Sequence, residues 1–222
     1  MCWRNSWAGP EIVADLRLTD LPPWSFQKDD PDDDAAFYAE ARLTTHIDDG
    51  AIAALTEFYR RALPAGGVVL DLMSSCVSHL PADVAYAEVI GHGMNAEELA
   101  ANPRLDRWFI HDLNRDPVLP LESASLDAAM ICVGVQYLQR PVPVFQDLTR
   151  VLKPGAPLVV SFSNRCFPTK AVAIWMRLDD RGHAALVELY LNSAGFNNVE
   201  VQVLADGSRC DPMYAVIGRA PS

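Results

Sequence analysis

The spacing of apolar residues changes near residue 65. Before it, one strong helical stripe runs from an N-cap at Asp48 or Asp49 to Pro64. Its apolar members are Ile52, Leu55, Phe58, Tyr59, Ala62 and Leu63. A weaker helical pattern covers Asp34–Leu43. After residue 65, short apolar runs alternate with helical stretches, which predicts an α/β fold.

Seven strands are predicted in this second part. They are Val68–Leu72, Tyr86–Gly91, Arg107–His111, Leu126–Val133, Pro157–Phe162, Val199–Leu204 and Pro212–Gly218. Helices are predicted at Cys76–Val84, Ala96–Asn102, Val142–Leu152 and Asp180–Ser193, the last ending at Gly195. The alternation indicates a mostly parallel sheet with helices on both faces, and the last two strands indicate an antiparallel hairpin at one edge.

Composition and charge narrow the class of protein. The 222 residues are 50% apolar, which is enough for one sizeable core, and the formal net charge is −11. Nucleic acid and anionic membranes are therefore poor partners. Five aspartates lie within residues 29–34, and we interpret this run as a solvated loop.

Cysteines and terminal sequences indicate the compartment. The five cysteines form no CxxC pair, so a reducing cytoplasm is favoured over a disulfide framework. The N-terminal MCWRNSW lacks a signal-peptide core, and no segment has the roughly 18–20 apolar residues of a membrane span. His79 and His111 have no partners at metal-ligand spacing, so we expect no metal.

The candidate site centres on Gly66–Pro81, GGVVLDLMSSCVSHLP. A buried strand carrying Asp71 runs into a turn of small residues, Ser74, Ser75 and Cys76. In α/β proteins, a strand that ends in such a turn and hands over to a helix forms a ligand site at the carboxyl edge of the sheet.

A second segment, Ser125–Phe162, carries a family resemblance. It has a strand opened by Leu126-Asp127 and a helix ending in RVLK, followed by Pro154-Gly155 and another strand. This order closely resembles class I S-adenosylmethionine-dependent methyltransferases of the type 11 group, over about Val68 to Arg219. The resemblance implies a Rossmann-like domain at residues 65–222 that binds S-adenosyl-L-methionine. Residues 1–64 would form an N-terminal helical lid.

The resemblance also implies three groups of cofactor contacts. The family's first motif falls on Asp71–Val77, where Met73, Ser75 and Val77 replace its glycines. Ser74 and Ser75 can still donate to a carboxylate, with the following helix start favouring the negative charge.

The other two groups follow the second to fourth strands. Gly93 replaces the acid that binds the ribose, and Asn95 is our candidate substitute, although it can also serve as a helix N-cap. Asp112 occupies the position of the acid that accepts from the adenine amine; the alternative is a simple loop acid. The remaining predicted cofactor-binding residues are Leu113, Cys132 and Gln136.

Candidates for chemistry lie on the substrate side, in three stretches: Tyr38–Asp48, Cys132–Tyr137 and Ser163–Phe167. His46 is the best general base because imidazole titrates near neutral pH; alternatively it packs or caps beside the Ile52 helix. Tyr38 and Tyr137 would contact the sulfonium through cation–π interactions, or belong to the core. Arg42 would pair with the cofactor carboxylate, or with the acidic run on its own segment.

Three functions remain open at this point. The first is methyl transfer to a small-molecule acceptor. The second keeps the cofactor but uses its aminocarboxypropyl arm for cyclisation or transfer, releasing methylthioadenosine. The third is a non-catalytic binding protein with the same fold.

Overall fold

The computed structural model describes residues 17–222, and the N-terminal MCWRNSW and Cys2 lie outside them. The strands are β1 (Val68–Leu72), β2 (Glu88–Gly93), β3 (Arg107–Ile110), β4 (Ala128–Cys132), β5 (Pro157–Phe162), β6 (Asn197–Ala205) and β7 (Met213–Arg219). The helices are α1 (Asp34–Phe37), α2 (Asp49–Ala62), α3 (Ala96–Ala101), α4 (Pro141–Val151) and α5 (Asp180–Ala194). No helix among residues 17–222 combines the length and apolarity that a membrane span needs.

The strands form one sheet in the order β3-β2-β1-β4-β5-β7-β6. Strands β1 to β5 are parallel, whereas β7 runs antiparallel to β5 and β6. The predicted sheet, including its antiparallel C-terminal hairpin, is confirmed. Strand order reverses between β1 and β4, and the carboxyl edge beside such a switch point is where α/β folds bind ligands.

Each face of the sheet has its own apolar core. Helix α2 presents Leu55, Phe58 and Tyr59 to one face, against Val69 and Met130. Helices α4 and α5 cover the other face, which buries Leu70, Leu72, Ile90, Ile131 and Val160. Successive residues of a strand alternate between the faces, so continuous apolar runs are required where both faces are covered. Asp48 caps α2 as predicted, and Gly195 ends α5 with a left-handed backbone.

The predicted helix at Cys76–Val84 is wrong, because residues 74–87 are irregular. Pro81 removes an amide donor, and His79 has a φ of 53° that no α-helix allows. Tertiary hydrogen bonds replace the helical ones: Thr56 Oγ1 donates to the His79 carbonyl and Asn102 Nδ2 donates to the Ser75 carbonyl. The turn of Ser74, Ser75 and Cys76 after β1 is therefore not followed by a helix N-terminus that could favour a bound negative charge.

The predicted helix at Asp34–Leu43 is wrong beyond Phe37, so the Tyr38–Arg42 side chains do not form a helical face. Asn95 Nδ2 donates to the carbonyls of Tyr38 and Ala39, at 2.8 and 3.3 Å. The Arg42 amide donates to Glu98 Oε1 at 2.7 Å. Contacts to α3 therefore stop the helix and draw this segment onto the sheet domain.

The acidic run is not simply a solvated loop. Lys170 is fully buried and forms ion pairs with Asp30 (3.1 Å) and Asp34 (3.5 Å), and Lys28 also pairs with Asp34. Asp29, Asp32 and Asp33 are exposed, as predicted. Buried ammonium groups need paired carboxylates, and sequence spacing gave no sign of the distant Lys170. We call residues 25–48 the cap, because they cross the carboxyl edge of the sheet.

Candidate functional site

One cavity of about 260 Å³ lies at the carboxyl edge, between the strand ends and the cap. Its lining comes from all five parallel strands or the loops that follow them, and from the cap residues Asp34, Tyr38 and His46. The predicted site residues that meet there are Tyr38, His46, Met73, Ser74, Ser75, Asn95, Asp112, Leu113, Cys132 and Tyr137. Arg42, Asp71 and Gln136 do not line it.

Met73 has a left-handed backbone conformation, which glycine adopts more readily than other residues. Its φ is 62°, in the left-handed region that strains a residue with a side chain. Gly134, in the loop after β4, makes room for that side chain, since a Cβ at 134 would lie 2.9 Å from the Met73 Cβ. The absence of a side chain at 134 therefore leaves space for the side chain of Met73.

His92 closes the first turn from beneath. Its Nδ1 accepts from the Met73 amide at 3.1 Å, so Nε2 carries the proton and donates to the His111 carbonyl at 2.9 Å. Its own carbonyl accepts from the Ser74 amide at 2.6 Å. Burial lowers the pKa of His92 to about 4, which keeps the ring neutral. Sequence reasoning missed this residue, although a histidine inside a buried strand was a visible signal.

Both predicted serine donors are used within the protein. Ser74 Oγ donates to Asp71 Oδ2 at 2.6 Å, and Ser75 Oγ donates to Glu98 Oε2 at 2.7 Å. Asp71 is fully buried beneath the turn, and its burial raises its pKa to about 7 despite hydrogen bonds from Ser74 and Ser78. Asp71 therefore supports the turn and does not face the cavity.

The missing ribose acid has a steric explanation. A Cβ on Gly93 would lie 2.7 Å from the Ser74 carbonyl oxygen, because the turn lies directly over the end of β2. The position of the turn thus leaves no room for a side chain at 93.

Glu98 brings a carboxylate into the same region, and sequence reasoning did not assign it a site role. It lines the cavity from the first turn of α3 and is buried, accepting from Ser75 Oγ and the Arg42 amide. Asn95 caps α3 by accepting from the amides of Glu97 and Glu98, as its alternative interpretation required. With its Nδ2 group on the cap, Asn95 makes structural contacts at both ends of its amide.

Asp112 follows β3 at the cavity wall. Its Oδ1 accepts from the amides of Asn114 and Arg115, at 2.9 and 3.3 Å, and its Oδ2 lies 3.5 Å from Arg115 Nε. Leu113 supplies an apolar surface beside it. Asn114 joins this loop to the cap and to the loop after β4, by donating to Asp34 Oδ2 and to the Tyr137 carbonyl.

Aromatic rings form the wall below β4 and β5. The Phe167 ring stacks on the Tyr137 ring, with centroids 6.0 Å apart. The His46 ring packs edge-to-face against Phe167, with centroids 5.5 Å apart. The Tyr137 hydroxyl accepts from the Phe167 amide, which fixes both rings. The ring nitrogens of His46 have no hydrogen-bond partner among residues 17–222, and burial lowers the pKa of the ring, so the free base is present at neutral pH. His46 is not a cap, because Asp48 has that role.

Of the other predicted residues, Arg42 and Gln136 lie outside the cavity lining and Cys132 lies in it. Arg42 stacks on Phe37 at 4.5 Å and donates to the Phe37 carbonyl, so over the described residues it pairs with neither the acidic run nor another carboxylate. Gln136 is buried and donates to the Val133 carbonyl. Cys132 lies in the cavity wall, where burial raises its thiol pKa to about 12 and leaves it a poor nucleophile.

Comparisons with known proteins agree with this fold. Residues 74–160 match the family model described as a methyltransferase domain. No curated protein matches the sequence.

Solved structures align over most of the chain. A chain of the complex between the Haloferax volcanii Trm112 methyltransferase activator and a methyltransferase aligns with a TM-score of 0.61 and 16% identity, covering 78% of this chain and 91% of that one. An S-adenosylmethionine-dependent methyltransferase from Aquifex aeolicus aligns with a TM-score of 0.56 and 16% identity, covering 77% of this chain and 91% of that one. The [4+2]-cyclase SpnF aligns with a TM-score of 0.55 and 18% identity, covering 75% of this chain and 80% of that one. At these identities, the likeness establishes the fold alone.

Proposed function

We infer the function from the premise that this chain belongs to the class I S-adenosylmethionine-dependent methyltransferase superfamily, whose methyltransferase domain model matches residues 74–160. S-adenosylmethionine is the cofactor of that superfamily. We propose that the chain transfers the cofactor's methyl group to a small-molecule acceptor. The observation that carries the proposal is the cavity itself, which lies at the switch point of the sheet beneath the cap.

The chemistry of the lining fits this cofactor. Asp112 and Glu98 present carboxylates beneath β2 and β3, where hydroxyl and amine donors of a nucleoside need acceptors. Glu98, not Gly93, is our candidate for the ribose. Leu113 and Met94 add apolar surface for a base. The aromatic faces of Tyr38 and Tyr137 suit a sulfonium cation.

The cofactor, when bound, supplies an electrophilic methyl group, so the protein has to orient the acceptor and remove a proton. His46 is our candidate for proton removal, because its neutral ring lines the cavity and its nitrogens have no hydrogen-bond partner among residues 17–222. Phe167 and Tyr137 hold an acceptor against the wall, and the cap excludes water. A small acceptor suits a cavity that lies beneath the cap of an acidic protein.

Product analysis tests this proposal. The protein incubated with S-adenosylmethionine and a library of small acceptors should yield S-adenosylhomocysteine. His46→Asn should lower turnover by about 100-fold or more, since general base catalysis contributes typically 10²–10⁴-fold. Cofactor binding should stay unchanged. Turnover that is the same in His46→Asn removes the base assignment.

A second candidate has one specific observation in its favour. The amides of Met73 and Ser74 both bond to His92, so they are not available to the cofactor's amino-acid end. A differently held amino-acid end favours chemistry on the aminocarboxypropyl arm. In that case the same incubation yields methylthioadenosine and no S-adenosylhomocysteine.

A further inference from the structure

Arg165 is the one arginine or lysine among the described residues that line the cavity. It follows β5, on the substrate side. The carboxylates assigned to the nucleoside lie beneath β2 and β3, and three strand spacings separate β5 from β2. At about 4.8 Å per spacing, this places the cation roughly 14 Å from the β2 end of the cavity. The Arg165 guanidinium and the carboxylates of Glu98 and Asp112 therefore lie at opposite ends of the cavity.

A buried carboxylate holds Arg165 in a fixed orientation. Arg165 Nε lies 3.0 Å from both Asp211 carboxylate oxygens, and Nη2 lies 2.8 Å from Oδ1. Asp211 is only 8% exposed and is itself anchored, accepting from the Asp48 amide at 3.1 Å while its own amide donates to Asp48 Oδ2 at 2.6 Å. The guanidinium is thus tied to the N-cap of α2.

This arrangement leaves half of the guanidinium free. Asp211 occupies the side formed by Nε and Nη2, whereas Nη1 has no hydrogen-bond acceptor among residues 17–222. The side chain is 59% exposed, so a ligand can reach its other side. A guanidinium offers donors in a planar fork that matches a carboxylate with two parallel hydrogen bonds.

The side chains around Arg165 indicate the chemistry of the rest of the ligand. Phe167, two residues after Arg165, carries the aromatic wall with Tyr137 and faces His46. A ligand seated there would meet a flat apolar surface, the unoccupied side of the Arg165 guanidinium and one neutral imidazole.

We propose that Arg165 binds the carboxylate of the acceptor, so that the substrate class is a small carboxylic acid with an apolar or aromatic body. Asp211 is then a positioning residue, which acts by holding the guanidinium. This inference deepens the proposed function and rests on it.

The test uses the full chain saturated with S-adenosylhomocysteine. Three carboxylates (acetate, benzoate and cinnamate) and their amides are titrated by calorimetry into the wild type, Arg165→Gln and Arg61→Gln. Arg61 is an exposed arginine outside the cavity and serves as the matched control. Because hydrogen bonds to charged groups contribute about 1.5–3 kcal/mol, the best carboxylate should bind at least about tenfold tighter than its amide. Arg165→Gln should bring this ratio near one, and Arg61→Gln should preserve it.

Either of two results overturns the inference: no carboxylate binds the wild type better than its amide, or Arg165→Gln leaves the preference intact. Arg165→Lys, which keeps the charge without the fork, replaces the glutamine variant if that variant does not fold, with an intermediate ratio expected. The initial titration with S-adenosylhomocysteine alone separates the two proposals. Its failure defeats the proposed function, whereas its success with no carboxylate preference defeats only the assignment of Arg165.

Discussion

The main-chain amide of Met73 donates a hydrogen bond to Nδ1 of His92, over 3.1 Å. This contact joins the end of β1 to β2, and Nε2 of the same ring continues it to the His111 carbonyl at the end of β3. One neutral imidazole therefore holds three strand ends in the part of the site where the family resemblance implies a flexible glycine turn.

Acid should weaken the fold through His92. Its pKa is about 4 in the folded state and near 6.5 when unfolded, so the unfolded chain binds more protons between these values and stability falls as pH falls from 6.5 to 4. His92→Asn keeps a side-chain acceptor but does not titrate. The difference in unfolding free energy between the wild type and this variant should shrink by about 2–3 kcal/mol across that window, measured by urea denaturation. A difference that is constant with pH would contradict the buried neutral ring.

Asp71 should have the opposite pH dependence. Its folded pKa of about 7 exceeds the unfolded value near 3.9, so its contribution is fully present below pH 3.9 and is lost as pH rises to 7. Asp71→Asn keeps an acceptor for Ser74 Oγ and removes the ionisation. We expect this variant to match the wild type near pH 4 and to exceed its stability by on the order of 2–4 kcal/mol at pH 8. If the difference in unfolding free energy between the two proteins were the same at pH 4 and pH 8, ionisation of Asp71 would not destabilise the fold, which would contradict the raised pKa.

Met73 and Gly134 should be energetically coupled. Gly134→Ala places a methyl group 2.9 Å from the Met73 Cβ and should destabilise the protein by about 1–3 kcal/mol. In the background of Met73→Gly the clash is absent and the left-handed backbone is relaxed, so the same substitution should cost little. Denaturation of the four proteins measures the coupling, expected at about 1–2 kcal/mol. Additive effects would mean that the two positions are independent.

Introducing the family's acid at position 93 should not strengthen binding of S-adenosylhomocysteine. Gly93→Asp drives its Cβ into the Ser74 carbonyl, so it should destabilise the fold by about 1–3 kcal/mol and weaken S-adenosylhomocysteine binding. Ala96→Asp adds the same charge at an exposed position nearby and controls for electrostatics. Tighter binding in Gly93→Asp would overturn the steric account of the missing acid.

The sequence predicted the centre of the sheet well because its central strands are buried on both faces, as in the apolar runs around Val69 and Val159. It failed at Cys76–Val84 and beyond Phe37 because tertiary hydrogen bonds, from Thr56, Asn102 and Asn95, decide those segments. Helical periodicity cannot report such contacts between distant residues.

The candidate site was predictable in its location more than in its contacts. The positions just after predicted strands identified Ser74, Asp112 and Tyr137, and these three residues line the cavity together. Glu98 was not identified, because it lies within a helical pattern. Arg165 fell within the predicted stretch Ser163–Phe167, but its role was not predicted because its support, Asp211, is 46 residues away. The pairing of the acidic run with Lys170 was hidden for the same reason.

Binding of S-adenosylhomocysteine tests the central claim most directly. Ligand at 100 times its dissociation constant should stabilise the wild type by about 2.7 kcal/mol, visible as a rise in Tm. Glu98→Ala should weaken binding by about tenfold or more, since a buried carboxylate contact is lost, whereas exposed Glu97→Ala should bind like the wild type. No rise in Tm at millimolar ligand, or equal binding by the two variants, would contradict this account of the site.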